Sequence, residues 1–155
     1  MQLADEIRYL LLAVQREGNR LLTEALRPFN LTPAQAEVLR VLQEYQPLSL
    51  VALGDLLICE QGSPSRLVAG MVAADLISRI AAPDDRRRIT LTLTKHGQQQ
   101  VAHVAEIEAL MNQMILTLIA DMPMQEFMAL FWRYIEGRPA GEALARRKGA
   151  SEGTS

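Results

Sequence analysis

Residues 62–94, GSPSRLVAGMVAADLISRIAAPDDRRRITLTLT, constrain the fold of this chain more than any other stretch. Ser63 followed by Pro64 is a helix start, with serine suited to cap and proline suited to the first helical position. At about 100° per residue, Leu67, Val68, Met71 and Val72 share one sector of that helix, and Ser65, Arg66, Ala69, Gly70 and Ala73 share the opposite one. Exposed helical faces are ordinarily long and charged, whereas this one is small and can approach another surface closely. Residues 76–80 and 89–94 read as strands, the second alternating Ile, Leu and Leu against three threonines. The polar loop between them carries Asp84 and Asp85, then Arg86, Arg87 and Arg88. A thin helix beside a hairpin tipped with cations suits duplex DNA.

Charge supports this reading once its distribution is considered. The whole chain has a formal net charge of −2. Residues 62–97 hold six basic side chains against three acidic ones, about +3, which leaves about −5 for the rest. One basic module on an acidic body has the form of a site.

The flanking segments read as helices that support this unit. Residues 4–26 have an apolar stripe (Ile7, Leu10, Leu11, Val14, Leu21, Leu22) that Gly18 and Asn19 interrupt, so a bend is expected there. Thr32-Pro33-Ala34-Gln35 is a capping-box start for a second helix that stops before Pro47. Ser49 caps a short third helix over residues 50–57, apolar enough to be buried on most sides. With the helix that follows, it makes a helix-turn-helix. Thr94 caps a long fifth helix running to about residue 119, and a sixth restarts at Pro123 and ends at Gly137. The tail, residues 138–155, is rich in Gly, Ala, Ser and charge and is expected to fray.

At 155 residues, 49% of them apolar and 22% charged, one compact globular domain is expected. No apolar run approaches the ~20 residues that span a bilayer. The first residues carry acids and no basic leader, so a cytoplasmic location is expected. Cys59 is the single cysteine, which excludes an intramolecular disulfide and fits a reducing compartment.

The order of elements, with LTPAQAEVLRVL (residues 31–42), SPSRLV (63–68) and PDDRRRITLTLTKHG (83–97), resembles the MarR family of winged helix-turn-helix regulators. The resemblance covers roughly residues 4–137. It implies a mainly α fold with a small β-hairpin wing and six helices. Residues 1–30 and 95–138 would form a discontinuous dimerisation region, residues 31–94 the DNA-binding domain, and residues 139–155 a flexible tail. The family's members are homodimers that usually repress genes and release DNA on ligand binding or thiol oxidation. By this resemblance the fourth helix enters the major groove, with Ser65 and Arg66 meeting base edges or phosphates and Ser63 at the phosphate-binding helix start. The wing pattern Asp-x-Arg is matched by Asp85 and Arg87. Arg87 would reach into the minor groove with Asp85 fixing its posture, while Arg86 and Arg88 meet phosphates. Two-fold symmetry implies a pseudo-palindromic operator.

Two routes of control are open. Cys59, between the third and fourth helices, is either a redox switch or a small buried hydrophobe. The family's hydroperoxide-sensing branch keeps its reactive cysteine in the first helix, where this chain has none. A small aromatic or phenolic effector is the second route, with Arg8, Tyr9, Arg16, Tyr45 and Trp132 as candidate lining groups. His96 and His103 are seven positions apart, too far for a metal pair, and no cofactor or metal is expected. Phosphate-loop, zinc and nucleophile-elbow motifs are missing, which argues against an enzyme. The competing reading is a redox-insensitive protein-interaction module, which leaves the arginine wing unexplained.

Overall fold

A computed structural model describes residues 2–59, 63–81 and 89–152. Seven α-helices and one two-stranded antiparallel sheet make up the described residues. In chain order they are α1 (Leu3–Leu26), α2 (Pro33–Tyr45), α3 (Leu50–Gly54), α4 (Pro64–Ala73), β1 (Ile77–Ala81), β2 (Ile89–Leu93), α5 (Lys95–Leu118), α6 (Met124–Ile135) and α7 (Pro139–Glu152). A single 3-10 turn, Arg27–Phe29, follows α1 and ends in Asn30, whose φ of 57° lets the chain reverse.

The local start signals operate as their chemistry requires. Thr32 accepts from the Gln35 N–H while the Gln35 side chain accepts from the Thr32 N–H, a complete capping box for α2. Thr94 accepts from the Gly97 N–H to start α5, and Ser49 accepts from the Ala52 N–H to start α3. Ile77 pairs with Leu93 and Ala81 with Ile89, so β1 and β2 form a regular hairpin. Leu48 adds an isolated bridge to Leu91, exchanging hydrogen bonds of 3.2 and 2.7 Å, so the loop before α3 covers the outer edge of β2.

The core lies between α2, the N-terminal half of α5, α4 and the hairpin. Leu26, Val38, Leu39, Leu42, Leu53, Val68, Met71 and Val104 are all fully buried there. On the flank, Arg40 pairs with Glu108 at 2.7 Å and ties α2 to α5. Outside this nucleus the apolar stripes stay open. Leu10, Val14, Leu110, Met114, Leu118 and Leu130 are exposed, and α6 buries none of its residues.

Four sequence expectations are corrected. α1 runs unbroken through Gly18 and Asn19. An internal glycine costs a helix only ~1 kcal/mol, and Arg20 bridges Glu17 at 2.7 Å and Glu24 at 2.9 Å across that point. α3 spans five residues, not eight, and is buried on one side alone: Leu53 is inaccessible while Val51 is 74% exposed. Ser63 occupies the N-cap position of α4, but its side chain makes no capping hydrogen bond. The expected fraying tail is instead a helix over Pro139–Glu152, which raises the helix count from six to seven. Its first turn abuts the end of α6, where a Cβ on Gly141 would lie 2.1 Å from the Ile135 carbonyl oxygen.

Candidate nucleic-acid interface

α4 presents the two faces that its sequence spacing demands. Val68 and Met71 point into the core, while Ser65, Arg66, Ala69, Gly70 and Ala73 are exposed along the opposite side. A Cβ added to Gly70 would meet nothing within 4 Å, so no packing within the chain requires glycine there. Ser65 and Arg66 lie in the first turn, where a helix has unpaired N–H groups and the positive end of its dipole. The Ser63 carbonyl accepts from the Arg66 and Leu67 N–H groups at 3.1 and 3.2 Å, which closes that turn. The outer face is therefore a shallow, slightly cationic ridge with little side-chain bulk.

Beside it, the hairpin is stitched by its threonines. Ser78 and Thr92 hydroxyls lie 3.0 Å apart, and Thr90 donates to the Ile80 carbonyl at 3.2 Å. Arg79, exposed on β1, adds a cation that the spacing argument had left unassigned. Leu50, Val68, Arg79, Ile89 and Leu91 line a small cleft of about 240 Å³ between the hairpin and the helices. Asp85, Arg86, Arg87 and Arg88 lie outside the described residues, beyond the point where Ala81 pairs with Ile89.

The turn between α3 and α4 is gripped from two sides. Glu37 of α2 is the buried charged residue among those described. Its Oε1 accepts from the Ile58 N–H at 2.8 Å and from the Arg147 guanidinium, and its Oε2 accepts from the Cys59 N–H at 2.8 Å. Arg147 of α7 also donates through Nε to the Leu56 carbonyl at 2.7 Å, and Arg146 donates to the Asp55 carbonyl at 3.0 Å. Burial of the carboxylate is offset by three donors, as a buried charge requires. Sequence reasoning passed over both partners. Glu37 had a signal, an acid set within the apolar stripe of α2; Arg147, in a tail of low complexity, had none.

The candidate effector residues are not brought together within the chain. Arg8 lies over the Tyr9 ring at 4.3 Å and 3.4 Å from Asp5, and Arg16 is exposed on the same helix. Tyr45 donates to the Arg147 carbonyl at 3.1 Å. Trp132 lines a separate cleft of about 480 Å³ between α6 and α7, with Ala129, Arg133, Gly137 and Ala145. His103 stacks on Phe29 with centroids 4.5 Å apart, which gives it a packing role. Among the described residues no group of three or more His, Cys, Asp or Glu side chains could hold a metal ion.

A family profile described as "Winged helix DNA-binding domain" matches residues 31–97, which span α2 to the first turn of α5. The organic hydroperoxide resistance transcriptional regulator of Bacillus subtilis is 28% identical over 97 residues, covering 63% of this chain and 66% of the relative. The multiple antibiotic resistance protein MarR of Escherichia coli is 30% identical over 84 residues, 54% of this chain and 58% of that protein. The chain thus spans about three fifths of the length of these curated relatives. A cysteine-to-serine variant of E. coli MarR, solved in complex with operator DNA, superposes with a TM-score of 0.66 at 23% identity, covering 86% of this chain and 96% of that one. Residues 31–97 are a winged-helix DNA-binding domain, and the chain is similar to MarR-family regulators in sequence and fold.

The surroundings of Cys59 are not those of a reactive thiol. Cys59 is exposed as a residue, yet its surroundings desolvate the sulfur, and the Glu37 carboxylate adds repulsion. Together they push the thiol from 9.0 up to about 11, against a smaller opposing pull from Arg147. An activated thiolate needs the reverse, a dominant cation or helix N-terminus. α1 contains no cysteine.

Proposed function

We propose that this protein is a homodimeric regulator that binds double-stranded DNA sequence-specifically, in the cytoplasm, and acts as a transcriptional repressor. The observation that carries the reading is the small, exposed face of α4, with Ser65 and Arg66 at its N-terminal end and the arginine-bearing hairpin beside it. A helix without bulk on its outer side seats deeply in a major groove, and a flanking arginine reads minor-groove shape. In the wing, Arg87 and Asp85 carry the contact by family resemblance, with Arg86 and Arg88 on phosphates. That a MarR of this fold was solved with operator DNA supports the same partner here.

Dimerisation accounts for the open apolar stripes. Leu110 and Leu118 are 70% and 83% exposed, and with Met114 they line one face of the distal half of α5. Each such leucine stabilises by ~2 kcal/mol when buried, so a second copy is the fitting cover. A two-fold dimer places its reading helices about one turn of DNA apart, ~34–36 Å, on a pseudo-palindrome. Of the two release routes, the raised Cys59 thiol favours a small aromatic ligand over thiol chemistry. No helix among the described residues is long and apolar enough to cross a membrane.

The test is binding to duplexes from upstream of its own gene, followed by fluorescence anisotropy from 50 to 200 mM salt. A dimer is expected to bind one fragment over scrambled DNA, with affinity falling roughly 10³-fold or more across that range for six or more phosphate contacts. Arg87→Ala should remove specific binding and leave the circular dichroism spectrum unchanged. Equal affinity for all fragments, or none, refutes the assignment.

A further inference from the structure

We propose that α7 is a latch on the helix-turn-helix, with Arg147 the positioning residue that sets how α4 leaves the α3–α4 turn. The proposal builds on the DNA-binding function above and adds a control element to it. Four backbone groups of one short turn are held by side chains from outside it: the Asp55 and Leu56 carbonyls by Arg146 and Arg147, and the Ile58 and Cys59 N–H groups by Glu37. Arg147 also joins Glu37 itself, so α7 and α2 close on the turn as a single clamp. Tyr45, near the end of α2, donates to the Arg147 carbonyl and fixes the height of α7 against it.

The clamp is built to open. α7 brings almost no apolar burial to the contact: among its described residues Ala143 is the one buried side chain, and between α7 and the α3–α4 pair lies a cleft of about 400 Å³ lined by Val51, Asp55, Pro64, Glu142 and Arg146. Docking therefore rests on a few charge-assisted hydrogen bonds and not on a close-packed interface, which is the make-up of an element that opens locally at low cost. When α7 lifts, Glu37 loses the cation that holds its carboxylate in place, its grip on the Ile58 and Cys59 N–H groups loosens, and the carbonyls of residues 55 and 56 return to water. The turn is then free to vary, and with it the angle of α4. Any event that binds the released state of α7 would lower DNA affinity by mass action.

Hydrogen exchange on the full-length dimer, paired with DNA binding, tests this. In Arg147→Ala the Ile58 and Cys59 amides are expected to exchange at least about tenfold faster relative to the amides of residues 38–42 in α2, a ratio that a uniform loss of stability leaves unchanged. DNA affinity should fall about tenfold at unchanged oligomeric state. Arg147→Lys, which keeps the charge but loses the Nε bond to Leu56, should fall between wild type and Arg147→Ala on both readouts. An unchanged exchange ratio overturns the latch. A raised ratio with unchanged DNA affinity overturns the positioning role. If wild type binds no duplex at all, the regulator assignment fails, and the exchange ratio still decides whether α7 holds the turn.

Discussion

Gly97, in the first turn of α5, lies directly against the Leu76 carbonyl that ends the crossing from α4 to β1. A Cβ at position 97 would stand 2.1 Å from that oxygen, which also accepts the Thr94 N–H at 3.2 Å. The obstacle is backbone, so it cannot swing aside. Gly97→Ala is expected to lower stability by about 1–3 kcal/mol in urea denaturation, even though alanine favours a helix by ~1 kcal/mol. An unchanged midpoint would show that the two segments separate more easily than this contact implies.

Gly70 tests the opposite case. Its missing side chain faces open space, so Gly70→Ala should leave the protein as stable or raise stability by about 0.5–1 kcal/mol. Gly70→Phe should fold as well yet bind DNA at least about tenfold more weakly, because the bulk stands on the approach surface of α4. Full affinity in a folded Gly70→Phe variant would mean that this face does not meet the groove.

Arg66 is exposed, and its position on the first turn of α4 predicts a contact to a base edge or a phosphate. Arg66→Ala should cost about 1–3 kcal/mol of DNA binding with no change in thermal midpoint. A base contact would relax sequence preference at one position of the half-site. A phosphate contact would weaken all sequences alike and lower the salt slope by about one. Loss of stability in place of loss of binding would assign Arg66 to the fold.

Cys59 provides a pH-dependent observable. Because the folded chain raises the thiol from 9.0 to about 11, the unfolded chain ionises first as the pH climbs. Stability carried by this group is therefore intact below pH 9 and falls between pH 9 and about 11. Alkylation by iodoacetamide at pH 7.5 should be slower than for a free thiol, by roughly the lost thiolate fraction. Cys59→Ser should keep its DNA affinity and show the same response to peroxide as wild type. Rapid alkylation at neutral pH would reopen the thiol route.

What the sequence alone determined was local. The Thr32–Gln35 capping box, the Thr94 cap, the two faces of α4 and the alternation of β2 all arise from interactions within one turn or one strand. Those depend on spacing and residue type, which a sequence displays directly. The tertiary structure decided the rest. Whether Gly18 bends α1, how few residues of α3 suffice, and whether residues 139–152 fray depended on ion pairs and packing that spacing does not reveal. Glu37 and Arg147 are 110 positions apart, and the carboxylate becomes a clamp only because α2 and α7 meet at the turn. Likewise Gly70 and Gly97 are the same residue, one facing open space and the other a carbonyl oxygen at 2.1 Å. A glycine's role is set by what a side chain would strike there, and only the folded chain puts anything in its way.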